Sequence, residues 1–194
     1  MKNKIILLIL SLITLAQVNA NAQAWSKESK VLSLGIGASN FYHLDDRYAP
    51  GLGNLGGYHS PYSGQFNLQM EFGVHPYVGL GFTTGFGGTG PLNYGSNGEL
   101  NMPIGFLVNF HFYQLIDDKS SKNLHADKLD IYGGLSVGSG FALTFYNNED
   151  LRVVPLAWGG MHAGIRWYFA PKVALNAEFG FGKSIANLGF SFKL

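Results

Sequence analysis

The sequence predicts an all-β fold, an eight-stranded antiparallel up-and-down β-barrel that crosses a membrane, and three observations carry the prediction. Apolar residues alternate with small or polar ones at period two in eight segments. The charged fraction is 13%, about half that of ordinary soluble proteins, beside 27 glycines. The chain also ends on a strand face: Leu188, Phe190, Phe192 and Leu194 alternate with Gly189, Ser191 and Lys193 up to the last residue. Terminal residues of a soluble domain usually fray into water, so an apolar edge there suits the closing strand of a barrel in lipid.

The amino terminus reads as a cleaved signal peptide over residues 1–22. Lys2 and Lys4 open it, Ile5 to Leu15 is apolar apart from Ser11 and Thr14, and Ala20, Ala22 and Ala24 supply small residues for cleavage after Ala22 or Ala24. The apolar run falls short of the ~20 residues that a spanning helix needs. No later segment reaches 18 apolar residues, so the barrel domain, residues 25–194, has no helical span. Losing Lys2 and Lys4 leaves 11 basic against 12 acidic residues. Without a basic cluster, nucleic acid is not a partner, and with no cysteine there is neither a disulfide nor a thiolate site.

Each strand follows from its alternation. Lys30 to Phe41 sets Leu32, Leu34, Ile36 and Ala38 against Ser33, Gly35, Gly37 and Ser39. Gly64 to Val74 sets Phe66, Leu68, Met70, Phe72 and Val74 against Asn67, Gln69, Glu71 and Gly73. Tyr77 to Phe86 opposes Val78, Leu80, Phe82 and Phe86 to glycines and Thr83. Glu99 to Phe112 has Leu100 to Phe112 in alternate positions, with Pro103 and Leu107 interrupting its polar face. A proline lacks a ladder donor, so a bulge or local irregularity is expected near Pro103. Leu129 to Phe145, Val154 to Phe169, Lys172 to Gly182 and Ala186 to Leu194 complete the count of eight.

Connector lengths agree in part. Tyr42 to Ser63, Gly87 to Gly98 and Tyr146 to Val153 are long enough for extracellular loops, while His75-Pro76 and Ala170-Pro171 are tight turns. Gln114 to Lys128 is too long for a tight turn and reads as a flexible polar excursion, and Ser184-Ile185 is short where a loop is expected. Eight strands enclose only enough room for side chains. The large apolar sets must therefore face outward, into lipid, and the glycine-rich sets inward. Aromatics near the strand ends, Phe112, Tyr113, Trp167 and Phe169 at one side and Phe86, Phe145, Tyr146 and Phe181 at the other, suit interfacial belts.

The closing hairpin, Arg166-Trp-Tyr-Phe-Ala-Pro-Lys-Val-Ala-Leu-Asn-Ala-Glu-Phe-Gly-Phe-Gly followed by Asn187-Leu-Gly-Phe-Ser-Phe-Lys-Leu, resembles that of the small outer-membrane β-barrel proteins of Gram-negative bacteria. These are the OmpA/OmpX-like class and the porin-family barrel domains. The likeness is at motif level over Gly164 to Leu194 and architectural elsewhere. It implies outer-membrane localisation, contact with outer-membrane lipid and lipopolysaccharide, recognition by the outer-membrane assembly machinery, and a monomer. Leu194 departs from the aromatic last residue usual in the class.

Inward charges form the first candidate site: Glu71, Arg166, Glu178 and Lys193, with His111 and His162. An unpaired charge in so narrow a lumen costs several kcal/mol, so these residues are expected to pair across it, with Lys193 facing Glu71 or Glu178. The second candidate is the first long loop, where Tyr42, His43, Asp45, Asp46, Tyr58, His59 and Tyr62 offer an adaptable contact surface for an extracellular ligand or host surface. Loop spacing imposes no geometry on His43, Asp45 and His59, so no metal site is assigned.

No cofactor is assigned either. Gly85 to Gly90 satisfies the dinucleotide fingerprint, but Pro91, Asn93 and Gly95 follow where a helix must begin. Gly182-Lys183-Ser184 imitates the end of a phosphate-binding loop, but Ala177 replaces the first glycine. No outward serine and carboxylate accompany His162 to make a nucleophilic relay, so no catalytic residue is assigned. The expected role is structural or interactional, in envelope integrity, adhesion or envelope assembly. Narrow porin-like transport and lipid modification are the alternatives.

Overall fold

The computed structural model describes residues 23–38, 64–89, 98–120, 124–145 and 151–194. Eight strands, β1 (Lys30–Ala38), β2 (Gly64–His75), β3 (Val78–Thr89), β4 (Gly98–Phe110), β5 (Leu129–Phe145), β6 (Arg152–Ala170), β7 (Val173–Phe181) and β8 (Ala186–Lys193), close in chain order into one antiparallel barrel. The seam joins β1 to β8 from Val31↔Lys193 to Ala38↔Ala186. Closure leaves no free sheet edge along the seam. The eight-strand expectation, including the terminal strand as closing stave, is what the structure contains.

Period two sorts the side chains into two faces. Ile36, Phe106, Val137, Phe179 and Leu188 stand on the outside, each more than half exposed. Ser33, Asn67, Glu71, Asn109, Tyr132, Arg166 and Glu178 are buried inside. In water such an outer belt would cost roughly 25 cal/mol for every Å²; against hydrocarbon it costs nothing, and closure of the barrel pairs the backbone between neighbouring strands.

Two departures from the sequence reading have physical causes. β4 stops at Phe110, and Phe112 opens a helix, α1 (Phe112–Lys119), within the connection expected to be a flexible excursion. Lys119 in its last turn complements the helix dipole, and Gln114 Nε2 donates to Asp118 one turn on at 2.7 Å. The Tyr77 phenol of the β2–β3 turn bonds to Asp118, which raises the Tyr77 pKa. Asp117 accepts from the Leu124 N–H at 2.7 Å and Tyr113 donates to the Leu124 carbonyl at 2.7 Å, so the chain after the helix is tied back to it.

At Pro103 the expected irregularity takes the form of a gap in the β3–β4 pairing, with no bulge. Register runs through Pro103↔Gly140 on the β5 side, and on the β3 side the pairing lapses between Thr84↔Ile104 and Gly87↔Asn101 without a shift. The shifts occur instead at Gly73/His75 and Tyr168/Ala170, beside the two tight turns. β6 also begins earlier than expected, and its pairing with β7 ends at Met161↔Phe181 whereas its pairing with β5 continues to Thr144↔Arg152. The β5–β6 hairpin therefore stands taller than the rest of the barrel. Pro155 pairs there with Phe141 of β5 and faces no ladder on its other side, the one place a proline costs a strand little.

Candidate functional site in the barrel lumen

Inward-facing residues of β2, β5, β6 and the β4–α1 junction meet in a closed ring of charge near the end where β1 begins and β8 ends. Arg166 of β6 donates from Nη2 to Glu71 Oε2 of β2 at 2.6 Å and from Nη1 to Asp130 Oδ2 of β5 at 3.1 Å. His111, between β4 and α1, donates from Nδ1 to Asp130 Oδ1 at 2.7 Å and from Nε2 to Glu71 Oε1 at 2.9 Å. All four side chains are fully buried or nearly so. A neutral imidazole has one N–H and could serve only one of two carboxylates. The ring is therefore an imidazolium, and two cations balance two anions. Burial pushes the His111 pKa down, but Asp130 and Glu71 outweigh it and the net shift is upward.

The segment before β1 folds under this ring. The Ala24 N–H donates to the Ala126 carbonyl at 2.8 Å and the Gly73 N–H donates to the Ser29 carbonyl at 2.8 Å. Trp25, with no exposed surface, enters the lumen and stacks on His111, 3.6 Å between ring centroids and 7° between planes. Gly79 makes this possible: a Cβ there would collide with Glu71 Oε1 and approach Trp25 Cη2 to 2.8 Å.

Above lies a second layer. Lys183, from the β7–β8 connection, turns inward where Gly182 adopts φ +110°, and its Nζ meets Glu178 Oε2 at 2.5 Å and Gln69 Oε1 at 2.7 Å. Tyr132 donates to Glu178 Oε1 at 2.8 Å while the Arg166 guanidinium lies 4.2 Å from its ring centroid. The two layers are thus joined through Tyr132. His162 takes a separate partner, Asn109 Oδ1 at 2.9 Å.

Of the six lumen residues read from sequence, Glu71, His111 and Arg166 share one ring, Glu178 sits in the next layer, and His162 lies beside both. Lys193 joins neither layer: its Nζ donates to the Gln23 carbonyl and lies 5.0 Å from the Tyr168 ring centroid. Asp130, Tyr132, Lys183 and Trp25 complete the arrangement and were not among the candidates. Asp130 had a signal, because the inward parity of Tyr132 and Gly134 extends back to it; Lys183 and Trp25 lie outside strands and had none. The loop candidates Tyr42, His43, Asp45, Asp46, Tyr58, His59 and Tyr62 lie outside the described residues. Among the described residues, no group of three His, Asp or Glu side chains is placed to hold a metal ion.

No protein-family model matches the chain, and no curated protein matches it in sequence. Solved structures do. The amino-terminal barrel domain of Pseudomonas aeruginosa OprF matches with a TM-score of 0.53 at 10% identity, over 88% of this chain and 99% of that one. OprG of the same organism matches with 0.52 at 12%, over 88% and 98%. The fold is that of the small outer-membrane barrels. Ail, the attachment invasion locus protein of Yersinia pestis, matches with 0.50 at 14%, over 86% and 95%. At such identities the likeness fixes the small outer-membrane barrel fold and no individual side chain, so the luminal ring stands on this chain's own geometry.

Proposed function

We propose that this protein is a monomeric Gram-negative outer-membrane barrel, exported by a signal peptide over residues 1–22, whose role is structural or one of surface interaction, neither pore nor enzyme. The observation that carries this reading is the stack of Trp25 on His111. It places an aromatic plug and a neutralised ring of buried charge across the periplasmic mouth, where a pore needs a continuous wet path. The tall β5–β6 hairpin supports the second half of the reading, since it lifts Leu151 and Val153, both more than half exposed, above the shorter β7–β8 side. Contact with a host surface or extracellular ligand belongs to that end of the barrel.

Planar-bilayer recording of the purified, refolded protein tests the proposal. A barrel that inserts and gives no stable single-channel steps is the expected result. Reproducible steps would make narrow transport the better reading.

A further inference from the structure

We propose that the periplasmic rim carries a site for one anionic phospholipid of the inner leaflet, in the recess between the α1–β5 connection and the base of the β5–β6 hairpin. The proposal rests on the membrane-spanning reading above. The recess has a volume of about 440 Å³ and is lined by Tyr113, Leu124, His125, Lys128, Leu129 and Trp167.

Its walls are built by hydrogen bonds rather than by chance approach of loose chain. Tyr113 holds the Leu124 carbonyl, Asp117 holds the Leu124 N–H, and the Lys128 and Leu129 N–H groups both donate to the His125 carbonyl at 2.9 and 3.1 Å. The Lys128 carbonyl in turn accepts from the Tyr168 N–H at 2.7 Å. The recess is therefore fastened to β6.

Two of the lining residues continue directly into the lipid-facing belt. Leu129 pairs with Trp167 at the base of the hairpin, Trp167 is 53% exposed, and Phe169 lies 6.4 Å from it in the same aromatic level. At the other side the recess ends in charge. His125 pairs with Asp127 at 3.9 Å, whereas Lys128 is exposed and has no carboxylate partner among the described residues. An apolar floor open to hydrocarbon and an unpaired ammonium at the interface together fit one chemistry, an acyl chain ending in an anionic headgroup. A free anion would use Lys128 alone, and an uncharged lipid only the floor. A cation near a membrane surface attracts anionic lipid, and here it is fixed beside the groove that takes the chain.

The tryptophans supply the test. The chain has three, and Trp25 and Trp158 are buried in the lumen, so a quencher in the lipid phase reads Trp167. Full mature protein refolded in dodecyl maltoside micelles is titrated with dibromostearoyl phosphatidylglycerol. The expected result is saturable quenching whose half-saturation moves about tenfold in Lys128→Glu and does not move in Lys172→Glu, an exposed cation on the same rim. The site is overturned if Lys128→Glu saturates as wild type does, if Lys172→Glu weakens quenching equally, or if brominated diacylglycerol saturates at the same concentration. Displacement by millimolar inorganic phosphate would show a bare anion site and overturn it too. Failure of the spanning reading looks different: wild-type protein that neither inserts into vesicles nor shows heat-modifiable electrophoretic mobility.

Discussion

The indole of Trp25 lies parallel to the imidazole of His111 at 3.6 Å, and the edge of that imidazole is held by Glu71 and Asp130. An aromatic face against a cation gains electrostatic attraction beyond contact area. The amino-terminal segment is thus tied to a luminal cluster that joins β2, β5 and β6. Removing the indole leaves a hole beneath the ring, and burial of so large a side chain contributes about 3–5 kcal/mol.

Trp25→Ala is therefore expected to lower the unfolding midpoint and to admit ions at the periplasmic mouth. Brief, small conductance steps should occur in the variant and not in wild type. Gly79→Val should act in the same direction, because its side chain needs the space that Trp25 Cη2 and Glu71 fill. Silent bilayers with both variants, in protein shown to be inserted, would place the seal elsewhere.

Arg166 and His111 each bridge Glu71 and Asp130, so loss of Arg166 leaves the two carboxylates facing each other with only His111 between them. Arg166→Met should destabilise the barrel by about 3–5 kcal/mol, the usual consequence of stranding a buried charge. Adding Glu71→Gln should recover part of that loss, since one of the two stranded anions is removed. Urea unfolding in vesicles, followed by gel mobility, measures Arg166→Met, Glu71→Gln and the double variant; strict additivity would show that the ion pair contributes no coupling.

How much of this was legible varies with the kind of residue. Period two fixes which face a side chain takes, so the outward Phe106 and inward Glu71 follow from the sequence, and Asp130 follows from the same parity. Height in the lumen does not follow. Glu71 and Arg166 are 95 residues apart, the strands between them have unequal lengths, and register shifts at Gly73/His75 and Tyr168/Ala170 flank the two residues, so parity alone paired Lys193 with carboxylates it does not meet. The α1 helix escaped because eight residues make only about two turns, too few for a 3.6-residue period to stand out. Trp25 and Lys183 belong to irregular segments, where no periodicity speaks.

The protonation of His111 gives the fold a pH dependence with a definite sign. Its pKa is raised in the folded barrel, so its contribution is fully present below the ordinary histidine value of about 6.5 and is lost as pH rises through the higher folded value. Glu71 of β2, Asp130 of β5 and Arg166 of β6 face it directly, and the Tyr132 ring lies 5.6 Å away. The thermal midpoint should fall as the pH rises above the ordinary histidine value of about 6.5. In His111→Gln it should start lower and stay flat as the pH is raised in the same way; a wild-type slope in that variant would assign the effect to another group.

For the proposed signal peptide, the same segment decides between the two cleavage sites. Cleavage after Ala24 would make Trp25 the first residue, and its α-ammonium would then sit against the buried ring, where a third cation has no anion to balance it. It would also remove the Ala24 N–H bond to Ala126 and the Gln23 carbonyl that accepts from Lys193. Cleavage after Ala22 keeps both contacts and leaves the new charge two residues farther out. Intact-mass measurement on protein recovered from outer membranes should therefore give a chain beginning at Gln23, in its free or cyclised form. A chain beginning at Trp25 would mean that the seal forms without the two residues that now anchor it, and the contribution assigned to the Ala24–Ala126 bond would have to be withdrawn.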